Sequence, residues 1–370
     1  MFLDSKGMIM KWYELIIIAM LGVFVNTHSR AEFNIVQDEQ VVIEPIQDEQ
    51  VVIEPIQDEQ VVTKPNIIQD EQVVIKPITV EKSRPFDTGQ AKIPFKIHAQ
   101  AALVLDANTG EVLYDKNSTE IRSIASITKL MSAVVILDAN LSLDEEITIT
   151  KEEVAETTVI KNGRRQTNCG RSCLSVGLKL TRAEVLHLAL MNSNNRAAYA
   201  LGRSYPGGLE AFVAAMNAKA QMLGMDDTHY VDPTGLYSEN VSTATDLAIL
   251  LRHASDYVMI RDFSTSPSFA LSVYNKKHRK PRLVDFKSTN RLVRIGTWDI
   301  ILQKTGYIKD AGHCVAMMAQ AGATKIMIIL LNTVNNDQRA DDAIRIKRYV
   351  ETGEIPVQTI QKHRHKRRRA

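Results

Sequence analysis

Between residues 97 and 353 the spacing of the apolar residues changes period twice, and this restricts the chain to one fold class. The segment opens on two apolar runs of strand length, Ala101–Asp106 and Glu111–Tyr114, on either side of Ala107-Asn108-Thr109-Gly110. Asn and Gly tolerate the backbone of a tight reversal, so this predicts a β-hairpin. The period then becomes helical. Leu130–Leu137 follows a Ser/Thr-rich turn, and Thr181 with Glu184 forms a capping box ahead of Val185–Met191. Leu209–Leu223 keeps helical spacing up to Gly224, and Thr243–Ser255 opens on T-x-x-D. Strand-like runs return at Ile300–Gln303, Cys314–Ala321 and Ile326–Leu331, the last two joined across Gly322-Ala323-Thr324. Asp341–Thr352 reads as a closing helix ended by Gly353. Strands at both ends of a helical middle predict an α+β fold. The first and last strands share one antiparallel sheet, flanked by helices, with a helical lobe inserted between them.

The flanks do not read as part of that domain. Leu15–Val25 is an apolar run of eleven residues, well short of the ~20 needed to span a bilayer. Lys11 precedes it and Ser29-Arg30-Ala31 follows, so residues 1–31 are expected to be a cleaved signal peptide. Next, QDEQVVIEPI occupies Gln37–Ile46 and Gln47–Ile56, and QDEQVV returns at Gln57 and Gln69. A ten-residue period with a proline in each copy excludes a helix, and each unit is too short to bury a core. Residues 32–95 are therefore expected to be an acidic, poorly ordered linker; Glu32–Lys92 holds 13 acids against 5 bases. Residues 96–355 are the expected catalytic domain and 356–370 a basic tail, with six bases and no acid in Gln361–Ala370. Over the whole chain 45 Lys and Arg meet 43 Asp and Glu, a net charge of +2, which argues against a nucleic-acid binder. Three cysteines and no HExxH give no all-Cys or helical zinc site.

Three short patterns carry chemistry. Ser126-Ile127-Thr128-Lys129 is an S-x-x-K at the mouth of the predicted helix Thr128–Leu137, where i to i+3 spacing puts both side chains on one face. A lysine there takes the serine's proton if burial or a nearby cation keeps its amine neutral. Ser193-Asn194-Asn195 is an S-x-N between two helical patterns, offering a hydroxyl and an amide. Lys304-Thr305-Gly306 ends the predicted strand Ile300–Gln303, where a cation and a hydroxyl suit a carboxylate and the glycine admits a peptide to the backbone. Singly, each also fits a helix cap, an interhelical turn or a strand exit. Together and in this order they are the signature set of penicillin-recognising serine enzymes.

On these motifs the chain resembles the low-molecular-mass D-alanyl-D-alanine peptidases, the serine penicillin-binding proteins. The resemblance spans roughly residues 97–353 and includes Ala101–Asn117, Arg122–Ala133, Leu190–Leu201, Leu223–Leu236, Asn240–Leu251 and Leu302–Cys314. It implies a β-lactamase/transpeptidase-like fold and hydrolysis of a D-Ala–X bond in peptidoglycan, with no metal or organic cofactor. It also implies roles. Ser126 is the nucleophile, Lys129 its proton acceptor, and Ser193 and Asn195 assist proton transfer and hold substrate. Lys304, Thr305 and Gly306 take the substrate's carboxylate side, and the backbone N–H groups of Ser126 and Tyr307 form the oxyanion hole. Peptidoglycan stem peptides and crosslinks are the implied partners, and β-lactam antibiotics the covalent inhibitors.

The S-x-N-R-A-A form, the KTGYIKDAGHC run and Glu351-Thr352-Gly353 resemble the endopeptidase type more than the carboxypeptidase type. Only 17 residues follow Gly353, without an apolar face, so no stable membrane anchor is expected and the mature chain is expected in the periplasm. A carboxypeptidase is the first alternative. A class A β-lactamase would need an ExxLN-like segment, and none lies between Ser193 and Lys304. An idle wall-binding protein fits the acidic repeats and basic tail but not an intact Ser126 and Lys129. Cys169 and Cys173 stand four apart and are read equally as a small disulfide or as two thiols; Cys314 is expected in the core.

Overall fold

The computed structural model describes residues 93–161, 164–167, 174–275 and 280–355. The expected signal peptide, the repeats, Cys169, Cys173 and the basic tail lie outside these described residues. The chain builds β1 (Ala101–Asp106), β2 (Val112–Lys116) and β3 (Arg122–Ser123), then a 3-10 turn (Ala125–Thr128) that runs into α1 (Lys129–Asp138). There follow β4 (Glu146–Thr148), α2 (Lys151–Glu156), β5 (Thr158–Lys161), β6 (Arg164–Thr167), β7 (Lys179–Thr181), α3 (Arg182–Met191), α4 (Asn195–Arg203) and α5 (Gly208–Met222). The chain continues through β8 (Val241–Ser242), α6 (Ala244–Ala254), α7 (Val258–Thr265), β9 (Ser268–Asn275), β10 (Lys280–Lys287) and α8 (Arg291–Ile295). It closes on β11 (Ile300–Ile308), β12 (Gly312–Ala321), β13 (Thr324–Thr333) and α9 (Asn336–Thr352).

The principal sheet has the order β11-β12-β13-β1-β2 and is antiparallel at every pairing. β1 and β13, from the two ends of the domain, lie side by side with Ala101 opposite Leu331 and Asp106 opposite Ile326. The shared sheet and inserted helices expected from the sequence are thus present. The period of two sorts each strand between two cores. Leu103, Leu105, Ala316, Ile329 and Leu331 face the helical lobe, where α1, α3 and α6 pack. Val104, Val315, Met317, Ile328 and Leu330 face the opposite side, against Ala343 and Ile346 of α9.

Local signals set the helix ends. Thr181 caps α3 by accepting from Glu184 N at 3.2 Å, while Glu184 accepts from Thr181 N at 2.8 Å, the predicted reciprocal box. Thr243 accepts from Asp246 N at 3.0 Å to start α6, and Gly353 ends α9 in the left-handed region at φ 69. α9 begins at Asn336, five residues before the predicted start, because Asn335 caps it through Gln338 N at 2.8 Å.

Two further boundaries differ from the sequence reading. β11 runs through Lys304-Thr305-Gly306 to Ile308 instead of stopping at Gln303. Its ladder to β12 pairs Lys304 with Ala316 and Gly306 with Cys314, and these bonds outweigh the poor strand propensity of Lys and Gly. Packing also begins ahead of residue 96. Ile93 and Phe95 are buried in the α9-side core, and Ile93 N donates to Leu113 O at 3.0 Å. Among the described residues no helix is long and apolar enough to cross a membrane.

Candidate active site

The 3-10 turn before α1 carries Ser126, and Lys129 is the first residue of α1, so the i to i+3 relation holds. Lys129 is fully buried, and its Nζ donates to Ser126 Oγ at 2.8 Å, to Asn195 Oδ1 at 2.7 Å and to Thr234 O. Burial pushes its pKa down to about 7, and the charge of Asp232 opposes this only in part. Half of such amines are neutral near pH 7, the condition for accepting a proton.

The backbone beneath Ser126 is held under strain. Ala125 sits at φ 47, in the left-handed region. The turn Asp232-Pro233-Thr234-Gly235 approaches so closely that a Cβ on Gly235 would lie 2.0 Å from Ala125 O. Asp232 fixes this turn by accepting from Thr234 N, from Gly235 N at 2.8 Å and from Asn240 Nδ2 at 2.8 Å. Ser132 Oγ ties α1 to the same turn through Pro233 O at 2.8 Å.

The S-x-N sits between α3 and α4 and divides its work. Asn194 caps α4 by accepting from Ala197 N at 3.2 Å. Its neighbours then point into the site: Asn195 to Lys129, and Ser193, held at φ 58, to Lys304 Nζ at 2.8 Å. Lys304 is fully buried and also donates to Thr305 O at 2.8 Å. Burial pushes its pKa down, and the charges of Lys129 and Arg339 push the same way, so an anion arriving beside Lys304 shifts it back toward the charged form.

Leu302 packs on the helical-lobe face, and Lys304 and Gly306 share its parity along β11. A Cβ on Gly306 would lie 2.8 Å from Ile124 O and 3.1 Å from Ser126 N, so only glycine lets the edge strand lie against the turn that carries Ser126. Thr305 turns away from the two lysines and its Oγ1 meets Thr289 Oγ1 at 2.6 Å. The Tyr307 side chain is exposed and stacks on His313 with ring centroids 4.2 Å apart.

The match to a known family overlaps most of this domain and stops ahead of α9. The family model described as D-alanyl-D-alanine carboxypeptidase, Peptidase S11, matches residues 87–335. The chain belongs to this family. A D-alanyl-D-alanine endopeptidase of Pseudomonas aeruginosa is 41% identical over 255 residues, covering 69% of this chain and 78% of that protein. The protein of the same name in Escherichia coli (strain K12) is 38% identical, covering 70% and 79%. The crystal structure of the Streptomyces K15 DD-transpeptidase superposes with a TM-score of 0.61 at 29% identity, covering 69% of this chain and 98% of that one. The chain is thus a serine peptidase of the D-alanyl-D-alanine carboxypeptidase family, on the DD-transpeptidase fold.

Within the family framework, Ser126, Lys129, Ser193, Asn195, Lys304 and Gly306 meet as one site. Thr305 joins it at the outer side of β11. Two contributors were missed from the sequence. Asp232 stands outside the three motifs, yet it is the buried carboxylate whose charge acts on Lys129. Thr234 acts through its carbonyl, which every residue type has, so no side-chain pattern marks it. Cys314 is buried as expected, with its thiol pushed up to about 11 by burial. One grouping among the described residues has metal-ligand chemistry, His98, Asp341 and Asp342. Its central carboxylate is already committed to the backbone N–H groups of His98 and Ala99.

Proposed function

We propose that the chain is an exported endopeptidase that opens the D-Ala–diamino-acid crosslink of peptidoglycan through an acyl-enzyme on Ser126. The supporting observation is Lys129, a fully buried amine with a pKa near 7 and 2.8 Å from Ser126 Oγ. In this reading the Ser126 proton passes to Lys129 Nζ as Oγ bonds to the D-Ala carbonyl carbon. The backbone N–H groups of Ser126 and Tyr307 take the oxyanion. Collapse breaks the C–N bond, and the leaving amine receives a proton by way of Ser193. Water then hydrolyses the ester, with Lys129 as base again. Lys304 and Thr305 hold the carboxylate beside the scissile bond, and a β-lactam enters as a substrate mimic that acylates Ser126.

The preference for crosslinks over terminal D-Ala draws on the S-x-N-R-A-A form and on the names of the 41% and 38% identical relatives. Residues 1–31 serve export to the periplasm, the acidic repeats up to residue 92 act as a tether, and the peptidase begins with the packed Ile93 and runs to 355, ahead of the basic tail. Digestion of purified muropeptides tests the bond cut. Crosslinked dimers fall to monomers while pentapeptide monomers change little. Rapid D-Ala release from pentapeptides with dimers intact overturns the endopeptidase assignment in favour of a carboxypeptidase.

A further inference from the structure

Behind the outer side of β11 lies a cavity of about 190 Å³ between α8, β12 and α9. Its polar wall is unusual for a site the catalytic residues do not use: Arg291, Arg294 and Arg339 line it, against a single acid, Asp337. Arg291 reaches Asp337 at 3.4 Å between two exposed side chains, and Arg294 donates to Ser288 O, so the wall carries three guanidinium groups and one carboxylate. Arg339 is only 8% exposed and is anchored on Cys314 O at 3.1 Å. Thr289 also lines the cavity, and its hydroxyl is 2.6 Å from that of Thr305. Asn290 Nδ2 donates to Gln303 Oε1 at 3.3 Å, which fixes this wall to β11. Thr289 thus joins the cavity wall to Thr305, one of the two residues proposed to hold the carboxylate beside the scissile bond.

That carboxylate belongs to the residue whose amine leaves, so the cavity lies on the leaving-group side. A free D-alanine ends at its one carboxylate and would leave the cavity empty. The leaving strand of a crosslink continues past it and carries further carboxylates. We infer that the arginine-lined cavity beside Thr289 is a subsite for a second carboxylate of the leaving strand. The inference rests on the endopeptidase reading and gives that reading a structural source of specificity. Guanidinium groups suit the task because they bind carboxylates through paired N–H donors and stay charged at any pH of interest.

The test uses the full mature enzyme and two crosslinked dimers. One has free carboxylates on the leaving strand; the other has those carboxylates amidated except for the one beside the scissile bond. In the wild type, amidation raises KM about tenfold with kcat little changed, the scale of one charge-assisted contact. The double variant Arg291→Gln, Arg294→Gln shows a similar rise in KM on the free dimer and no longer distinguishes the two substrates. Equal KM for both dimers in the wild type overturns the subsite, as does an amidation cost in the double variant as large as in the wild type. The wild-type comparison stands whether or not the variant folds. A wild type that leaves both dimers intact while trimming pentapeptides is a distinct result, which removes the endopeptidase reading and the subsite with it.

Discussion

Lys129 makes three hydrogen bonds, and all three acceptors are neutral: a hydroxyl, an amide and a backbone carbonyl. A buried lysine without a carboxylate in direct contact is held toward its uncharged form, the form that can take the Ser126 proton. Its pKa near 7, lowered first by burial, sets the sign of the pH effect. The free amine is the minor form below that value and the major form above it. The rate of acylation by a fluorescent penicillin therefore rises with pH through about 7 and then levels. Lys129→Ala slows acylation by ~10²–10⁴-fold while circular dichroism stays unchanged. A variant within a factor of a few of wild type, or a flat wild-type profile across that range, contradicts the assignment. Gly306 is equally constrained, by contact instead of charge. In Gly306→Ala the new Cβ meets Ile124 O and Ser126 N. Displacement of the nucleophile's turn should slow acylation by about 10²-fold, read in the same assay. The residue types of this site were legible in the sequence because S-x-x-K, S-x-N and K-T-G are local patterns. The acid that acts on Lys129 was not, since Asp232 lies far along the chain from it and turn residues are common.

Among the elements, those with a local cause were read correctly and those with a distant cause were not. The β1–β2 hairpin, α3 with its capping box, and α6 all carry their start or stop signals within a few residues. Thr181→Ala removes one half of a reciprocal cap and should cost about 1 kcal/mol. Thermal melting checks this, with a fall of about 2–4 °C expected for a domain of this size. An unchanged melting temperature would mean that α3 is held by packing alone. β11 reads as ending at Gln303 because Lys and Gly disfavour strands, while its extent is set by β12, whose Ala316 and Cys314 pair with Lys304 and Gly306. α4 is legible only as an unbounded helical pattern after the S-x-N, because its cap, Asn194, is the unassigned middle residue of that motif. The β9–β10 pair had no clear alternation in Lys280–Lys287, and its register, Lys287 opposite Ser268, comes from the pairing itself.

Over the whole molecule, the segment leading into β1 is bound to the last helix. Asp342 is fully buried and accepts from His98 N at 2.8 Å, Ala99 N at 3.1 Å and His98 Nδ1 at 2.7 Å. Arg345 lies over the Phe95 ring at 4.4 Å. These contacts join residues more than 240 positions apart, which is why the sequence placed Ile93 and Phe95 in a linker. Asp342→Ala leaves buried N–H groups without their acceptor and should destabilise the domain by about 1–3 kcal/mol in urea unfolding. Deletion of residues 32–84, which the sequence reads as an acidic linker, should leave the unfolding midpoint near that of the wild type. Ser126 is proposed as the one serine of the chain that forms the acyl-enzyme. Intact-protein mass spectrometry after incubation with a penicillin tests it most directly, followed by peptide mapping. One adduct per chain is expected, located on Ser126 and absent from Ser126→Ala. An adduct of full intensity on Ser126→Ala, or one mapped to another residue, would contradict it.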